Sequence, residues 1–146
     1  MSTIQFSSYP GLTSYLTTEL NSLANGSRKL GAALDTTQAT HMAVELDLAA
    51  QGSARSAGAQ VEVYLLKSLD GGTDYDYGSD SLDPPLSTLV AVLPLDAATT
   101  ARVVTAMFAL PGDLPFSKLL LKNSTGQAFA ASATTFSYAL YNVETT

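Results

Sequence analysis

The densest group of residues that could do chemistry is the run Asp70-Gly71-Gly72-Thr73-Asp74-Tyr75-Asp76-Tyr77-Gly78-Ser79-Asp80. Its carboxylates, Asp70, Asp74, Asp76 and Asp80, are oxygen donors of the kind that a hard cation such as calcium selects. The spacing departs from the EF-hand pattern, because the fifth position counted from Asp74 is Gly78, where that pattern places Asp or Asn. Read as loop chemistry, the same Asp and Gly residues end strands and permit tight turns. Tyr75 and Tyr77 are rigid, amphipathic side chains of a type enriched at interfaces. A contact role therefore precedes a metal role for this segment, and no cofactor is expected.

Other reactive groups are sparse. His41 is the single histidine, and any nucleophile–histidine–acid arrangement would have to use it. It stands at the start of an expected strand, on the outward side opposite Met42. Glu45 and Asp47 lie two apart on one face of that strand. A carboxylate pair of this kind could serve a glycosidase, but it also reads as an ordinary solvated face. There are no cysteines, which excludes disulfides, thiolate metal sites and cysteine nucleophiles. Asn25-Gly26-Ser27 and Asn123-Ser124-Thr125 match the glycosylation acceptor pattern, taken as chance in a chain whose first residues lack a secretion signal. No catalytic residue is assigned and no enzyme is expected.

Composition narrows the partners. The chain has 146 residues, suited to one domain. Net charge is −6 and the seven Lys and Arg residues are scattered, with only Arg28 and Lys29 adjacent. Nucleic-acid binding needs a basic footprint, and none is present. No apolar run is long enough for a membrane-spanning helix. Charged residues make up 14% of the chain, against about 25% in an ordinary domain. Ser, Thr and Ala take their place. Two readings fit: outward strand positions filled by Thr and Ser, or a surface partly covered by partners, since interface cores are depleted in charge.

The elements that must position these residues follow a two-residue period from His41 onward. Met42, Val44, Leu46 and Leu48 share a face, as do Val61, Val63 and Leu65, opposed by Glu62, Tyr64 and Leu66. Ser87 to Asp96 is apolar on both faces and reads as a central, doubly covered strand, with Pro94 marking an edge, a bulge or its end. Val104, Ala106, Phe108 and Leu110 oppose Arg102, Val103, Thr105 and Met107. Leu119 and Leu121 face the core, while Phe116, Lys118, Leu120 and Lys122 lie opposite. Phe136, Tyr138 and Leu140 alternate with Ser137, Ala139 and Tyr141. Gly- and Pro-rich turns fall between these runs, which argues for an antiparallel β-sandwich or barrel. Upstream, Ser14 to Leu16 reads as a short strand. Thr17 to Leu23 reads as one or two helical turns capped by Thr17 and ended by Asn25-Gly26, with Leu16, Leu20 and Leu23 on one face. Arg28 to Leu34 reads as another strand. Residues 1–12 are expected to form a flexible arm and residues 13–146 the folded domain.

Tyr15 to Gly26 (YLTTELNSLANG), Val61 to Tyr75 (VEVYLLKSLDGGTDY) and Leu110 to Asn142 resemble, in order and spacing, a family of tailed-bacteriophage capsid cement, or head decoration, proteins. The loop after Asp70 carries more Tyr and Asp than that family leads one to expect. The resemblance implies a single antiparallel β-sandwich of jelly-roll type with about eight strands and a short N-terminal helical turn. It also implies a homodimer or homotrimer made in the host cytoplasm, bound to the major capsid protein on the outer capsid surface of the virion. The contact residues expected from this sequence are Ile4, Phe6 and Tyr9 in the arm and Tyr75 and Tyr77 in the loop. A tail or fibre protein of the same virion, or a non-catalytic carbohydrate-binding jelly roll, remains the alternative.

Overall fold

The computed structural model describes residues 4–6, 11–112 and 114–145. The strands are β1 (Ile4–Phe6), β2 (Thr13–Leu16), β3 (Arg28–Leu30), β4 (Leu34–Asp35), β5 (His41–Leu48), β6 (Gln60–Ser68), β7 (Leu89–Pro94), β8 (Arg102–Ala109), β9 (Phe116–Ser124), β10 (Thr135–Tyr141) and β11 (Val143–Thr145). One sheet has the order β2-β10-β5-β8. The other has the order β3-β9-β6-β7, with β4 also on β9. Every pairing is antiparallel. If β3 and β4 are taken as one interrupted strand, the sandwich has two four-stranded sheets. Successive strands cross between the sheets except from β6 to β7. This is the connectivity of a jelly roll.

The core lies between the sheets. Met42, Val44, Leu46 and Leu48 enter it from β5; Val61, Val63 and Leu65 from β6; Leu119 and Leu121 from β9; and Phe136 from β10. Strict alternation carries the intervening residues to the outer faces. Each fully buried leucine contributes about 1.5–3 kcal/mol relative to remaining exposed. Leu16, Leu20 and Leu23 are all buried in this core. A single 3-10 turn, Thr18–Leu20, stands where one or two helical turns were expected. Thr17 makes no side-chain cap there; its N–H donates to the Glu19 carboxylate at 2.8 Å.

Four expectations change in three dimensions. β7 is an edge strand, with only β6 beside it, so its two-sided apolarity does not mark a central position. Pro94 ends it, where the missing donor costs no rung. The expected strand Arg28 to Leu34 divides into β3 and β4, because the Tyr15 ring packs against Gly31 between them. Arg102 has the same parity as Val104 and reaches Asp96, instead of lying with Val103 and Met107. Leu120, opposite the core face of β9, is fully buried in a second small cluster with Tyr64 and Leu66.

β1 pairs with β11 in a separate two-stranded ribbon, Ile4 opposite Thr145 and Phe6 opposite Val143. Residues 4–6 of the expected arm thus lie in a strand paired with the C-terminal segment.

Candidate partner-binding surfaces

The second apolar cluster explains the acidic loop. Residues 69–88 connect β6 to β7, and loops of this length in compact domains usually carry function. The loop runs across the outer face of the β3-β9-β6-β7 sheet as a strap. At one end, Lys67 and Asp76 exchange backbone and side-chain bonds: Asp76 N–H donates to the Lys67 carbonyl at 3.0 Å, and Lys67 N–H donates to the Asp76 carboxylate at 2.9 Å. The Lys67 ammonium also pairs with Asp76. Gly78, at φ +154°, then lies over Leu66 and Leu120, with Pro84 beside it. At the far edge, Asp80 accepts from the Leu30 N–H at 2.8 Å and from Lys29 at 3.0 Å. Asp83 takes Arg28 at 2.8 Å and Lys122 at 3.1 Å.

These contacts divide the four carboxylates. Asp70 organises its own turn, accepting from the Ser68 hydroxyl and from the N–H groups of Thr73 and Asp74. Asp76 and Asp80 go to different lysines, and the Asp74 carboxylate takes no hydrogen bond or ion pair from a described residue. Among the described residues, no three acids or histidines converge as metal ligands would. The electrostatics agree. The Asp74 and Ser68 donors hold the Asp70 carboxyl below its ordinary value. At Asp80 burial pushes the carboxyl up, but the Leu30 N–H and Lys29 outweigh it and the net shift is downward. Asp76 behaves the same way: burial raises it, and Lys67 lowers it further. Lys122 and Arg28 hold Asp83 down.

The two loop tyrosines separate. The Tyr75 ring receives the Lys118 ammonium at 4.2 Å from its centroid and is half-buried. Tyr77 is 60% exposed. Exposed with it along the strap and its exit are Leu82 and Leu86, the latter 77% exposed. The β1–β11 ribbon carries Ile4 and Phe6 at backbone positions opposite Thr145 and Val143, and Tyr9 lies outside the described residues.

His41 stacks on Tyr141 with ring centroids 5.3 Å apart, and its Nδ1 lies 2.9 Å from the Thr40 hydroxyl. No described carboxylate holds it as a triad would. Glu45 and Asp47 sit on the outer face opposite Thr105 and Val103 of β8. A cleft of about 510 Å³ lies beside Asp35, Thr37, Leu140 and Asn142, at the end of the sandwich next to β11.

A buried polar network at the opposite end escaped the sequence reading. The Arg55 side chain is fully buried in the β5–β6 loop. Its guanidinium donates to the Asp96 carbonyl at 2.9 Å, the Asp96 carboxylate at 2.7 Å, Gln51 Oε1 at 3.0 Å and the Thr100 carbonyl at 3.1 Å. Gln51 passes the network to the Ala128 carbonyl. Asn123, completely buried, donates to the carbonyls of Leu23 and Gln127. All four loops at this end are therefore locked together. The Asn123 amide nitrogen is consumed in that lock, so the acceptor-like triplet there is architectural. A lone Arg between small residues and glycines carries no sequence signal for this role; its partners are Gln51 in its own loop and Asp96 and Thr100 in the β7–β8 loop.

No helix among the described residues is long and apolar enough to cross a membrane. The sequence matches no known family model, and no curated protein matches it.

Proposed function

We propose that this protein is a non-catalytic capsid cement protein of a tailed bacteriophage. In this reading it binds the outer surface of the major capsid protein lattice and other copies of itself, and stiffens the head. The observation that carries the reading is the strap. A long loop is pinned at Asp76, Asp80 and Asp83, yet it holds Tyr77, Leu82 and Leu86 out to solvent. A pinned loop loses little conformational freedom on binding, so exposed apolar groups on it make a preformed contact surface. The jelly roll and the low charge fit the same role. Repetition over a symmetric lattice would supply avidity to individually weak contacts. The β1–β11 ribbon is the second proposed contact.

The test is to add the purified protein to phage heads that lack it and to sediment them. Saturable co-sedimentation with heads, with a raised temperature of head disruption, is expected. Association with tails or fibres instead, or no association with either, would remove the cement role. Replacing Tyr77 and Leu86 by Ser should weaken head binding without changing the fold.

A further inference from the structure

We infer that the outer face of the β2-β10-β5-β8 sheet, along β8 and β5, receives a protein surface that is cationic and apolar together. On β8, Val103, Thr105, Met107 and Ala109 alternate outward and are all exposed, Val103 by 61% and Met107 by 71%. β8 has β5 on one side only, so this stripe lies at an open sheet edge. Directly beside it on β5, Glu45 lies opposite Thr105 and Asp47 opposite Val103. Neither carboxylate takes a hydrogen bond or an ion pair from a described residue. Two large apolar side chains next to two uncompensated carboxylates call for a partner with Lys or Arg beside its own apolar groups, because complementary charge steers and registers such contacts.

The chain's own cations show why the partner is a different protein and not another copy docked through its own charges. Every Lys and Arg side chain is already engaged. Arg28 and Lys122 meet Asp83, Lys29 meets Asp80, Lys67 meets Asp76, Arg55 and Arg102 meet Asp96, and Lys118 lies over Tyr75. A second copy would have to release one of these contacts to offer a Lys or Arg side chain here. A two-fold contact through this face would set Glu45 and Asp47 against like charges. The identity of the partner as a capsid lattice rests on the function proposed above; the chemistry of the face does not.

The experiment has two arms. In the first, the full chain is labelled with nitrogen-15 and titrated with the peptide acetyl-Lys-Val-Lys-Leu-Lys-amide. Amide shifts are expected at Val103, Thr105, Met107, Glu45 and Asp47. The double substitution Glu45→Lys/Asp47→Lys should weaken the peptide about tenfold, and Glu45→Gln/Asp47→Asn should weaken it less. Shifts confined to Asp74 and the strap, no shifts at all, or equal binding by the charge-reversed chain would overturn the proposal. In the second arm, wild-type and charge-reversed chains are compared on phage heads. Loss of binding on reversal supports the face. If both bind equally, the face is wrong while the cement role stands. If wild type does not bind, the cement role fails and the peptide arm still decides the face. Preserved amide dispersion in the variants separates these outcomes from unfolding.

Discussion

The Tyr15 ring occupies the space where a side chain on Gly31 would have to stand. Tyr15 comes from β2 in one sheet, and Gly31 interrupts the β3–β4 edge of the other. Its hydroxyl donates to the Ala32 carbonyl and accepts the Leu119 N–H at 3.1 Å. It thereby bridges the gap left on β9 between β3 and β4. The ring also makes edge contacts with Phe136 and Tyr138. Burial pushes the phenol up to about 12, against the opposing pull of the Leu119 N–H, so it remains a donor at neutral pH.

Gly31→Ala should destabilise the fold by about 1–3 kcal/mol or more, as overpacking does where no neighbour can yield. Tyr15→Phe should cost about 1–3 kcal/mol, because the Leu119 N–H loses its acceptor. Urea unfolding of Tyr15→Ala, Gly31→Ala and Tyr15→Ala/Gly31→Ala measures the coupling. Removing the ring should relieve much of the Gly31→Ala penalty, and strict additivity would count against the ring as its cause.

Arg55→Lys should lower stability by about 1–3 kcal/mol although charge is kept, because an ammonium cannot reproduce the guanidinium's spread of donors. Arg55→Met should cost about as much or more, by leaving Gln51 Oε1 and the Thr100 carbonyl without the guanidinium donor. Thermal melts of both variants, with hydrogen exchange across residues 96–100 and 125–130, would reveal the loosening. An unchanged melt would mean that the four loops are held by something else.

The strap should loosen in acid. The Asp76, Asp80 and Asp83 carboxyls are held below their ordinary value in the folded chain. Their contribution to stability is therefore complete above the unfolded carboxylate value of about 4 and declines as pH falls below it. Asp96, bridged first by Arg102 and then by Arg55, is lowered to about 2 and should hold its loop furthest into acid. Protection of the Leu30 and Lys67 amides against hydrogen exchange, taken relative to the intrinsic rate at each pH, should fall within this window as pH drops from neutral toward about 2. Lack of protection already at neutral pH would contradict the ion-pair anchors.

Calcium should leave the melting temperature unchanged, and so should a chelator, because Asp70, Asp76 and Asp80 already accept from separate protein donors. A calcium-dependent rise reversed by chelator would show that the loop rearranges to gather its carboxylates.

Removing residues 1–9 deletes β1 and leaves β11 without its pairing strand, while the sandwich sheets lose no strand. The melting transition should persist and head occupancy should fall. Unchanged occupancy would exclude the N-terminal segment as a contact.

Alternation alone made the core legible. Met42 through Leu48, Val61 through Leu65, and Leu119 with Leu121 enter the sandwich because strand geometry sends every second side chain to the same face. The turn residues then divided the strands closely enough to imply an eight-stranded antiparallel sandwich. Sequence could not say which strand lies at an edge, because neighbours belong to the whole chain. Leu89 to Pro94 is apolar on both faces at a sheet edge, and Leu120 is buried on a face that the pattern left open. Nor could it say where Asp70 to Asp80 point. Asp and Gly close a tight turn, bind a cation or reach a lysine with the same local composition. Only the path of the strap brought Asp80 to Lys29 and Asp83 to Arg28, about fifty residues away in the chain. Arg55 was silent for the same reason: its partners come together only when the β5–β6 and β7–β8 loops meet at one end of the fold.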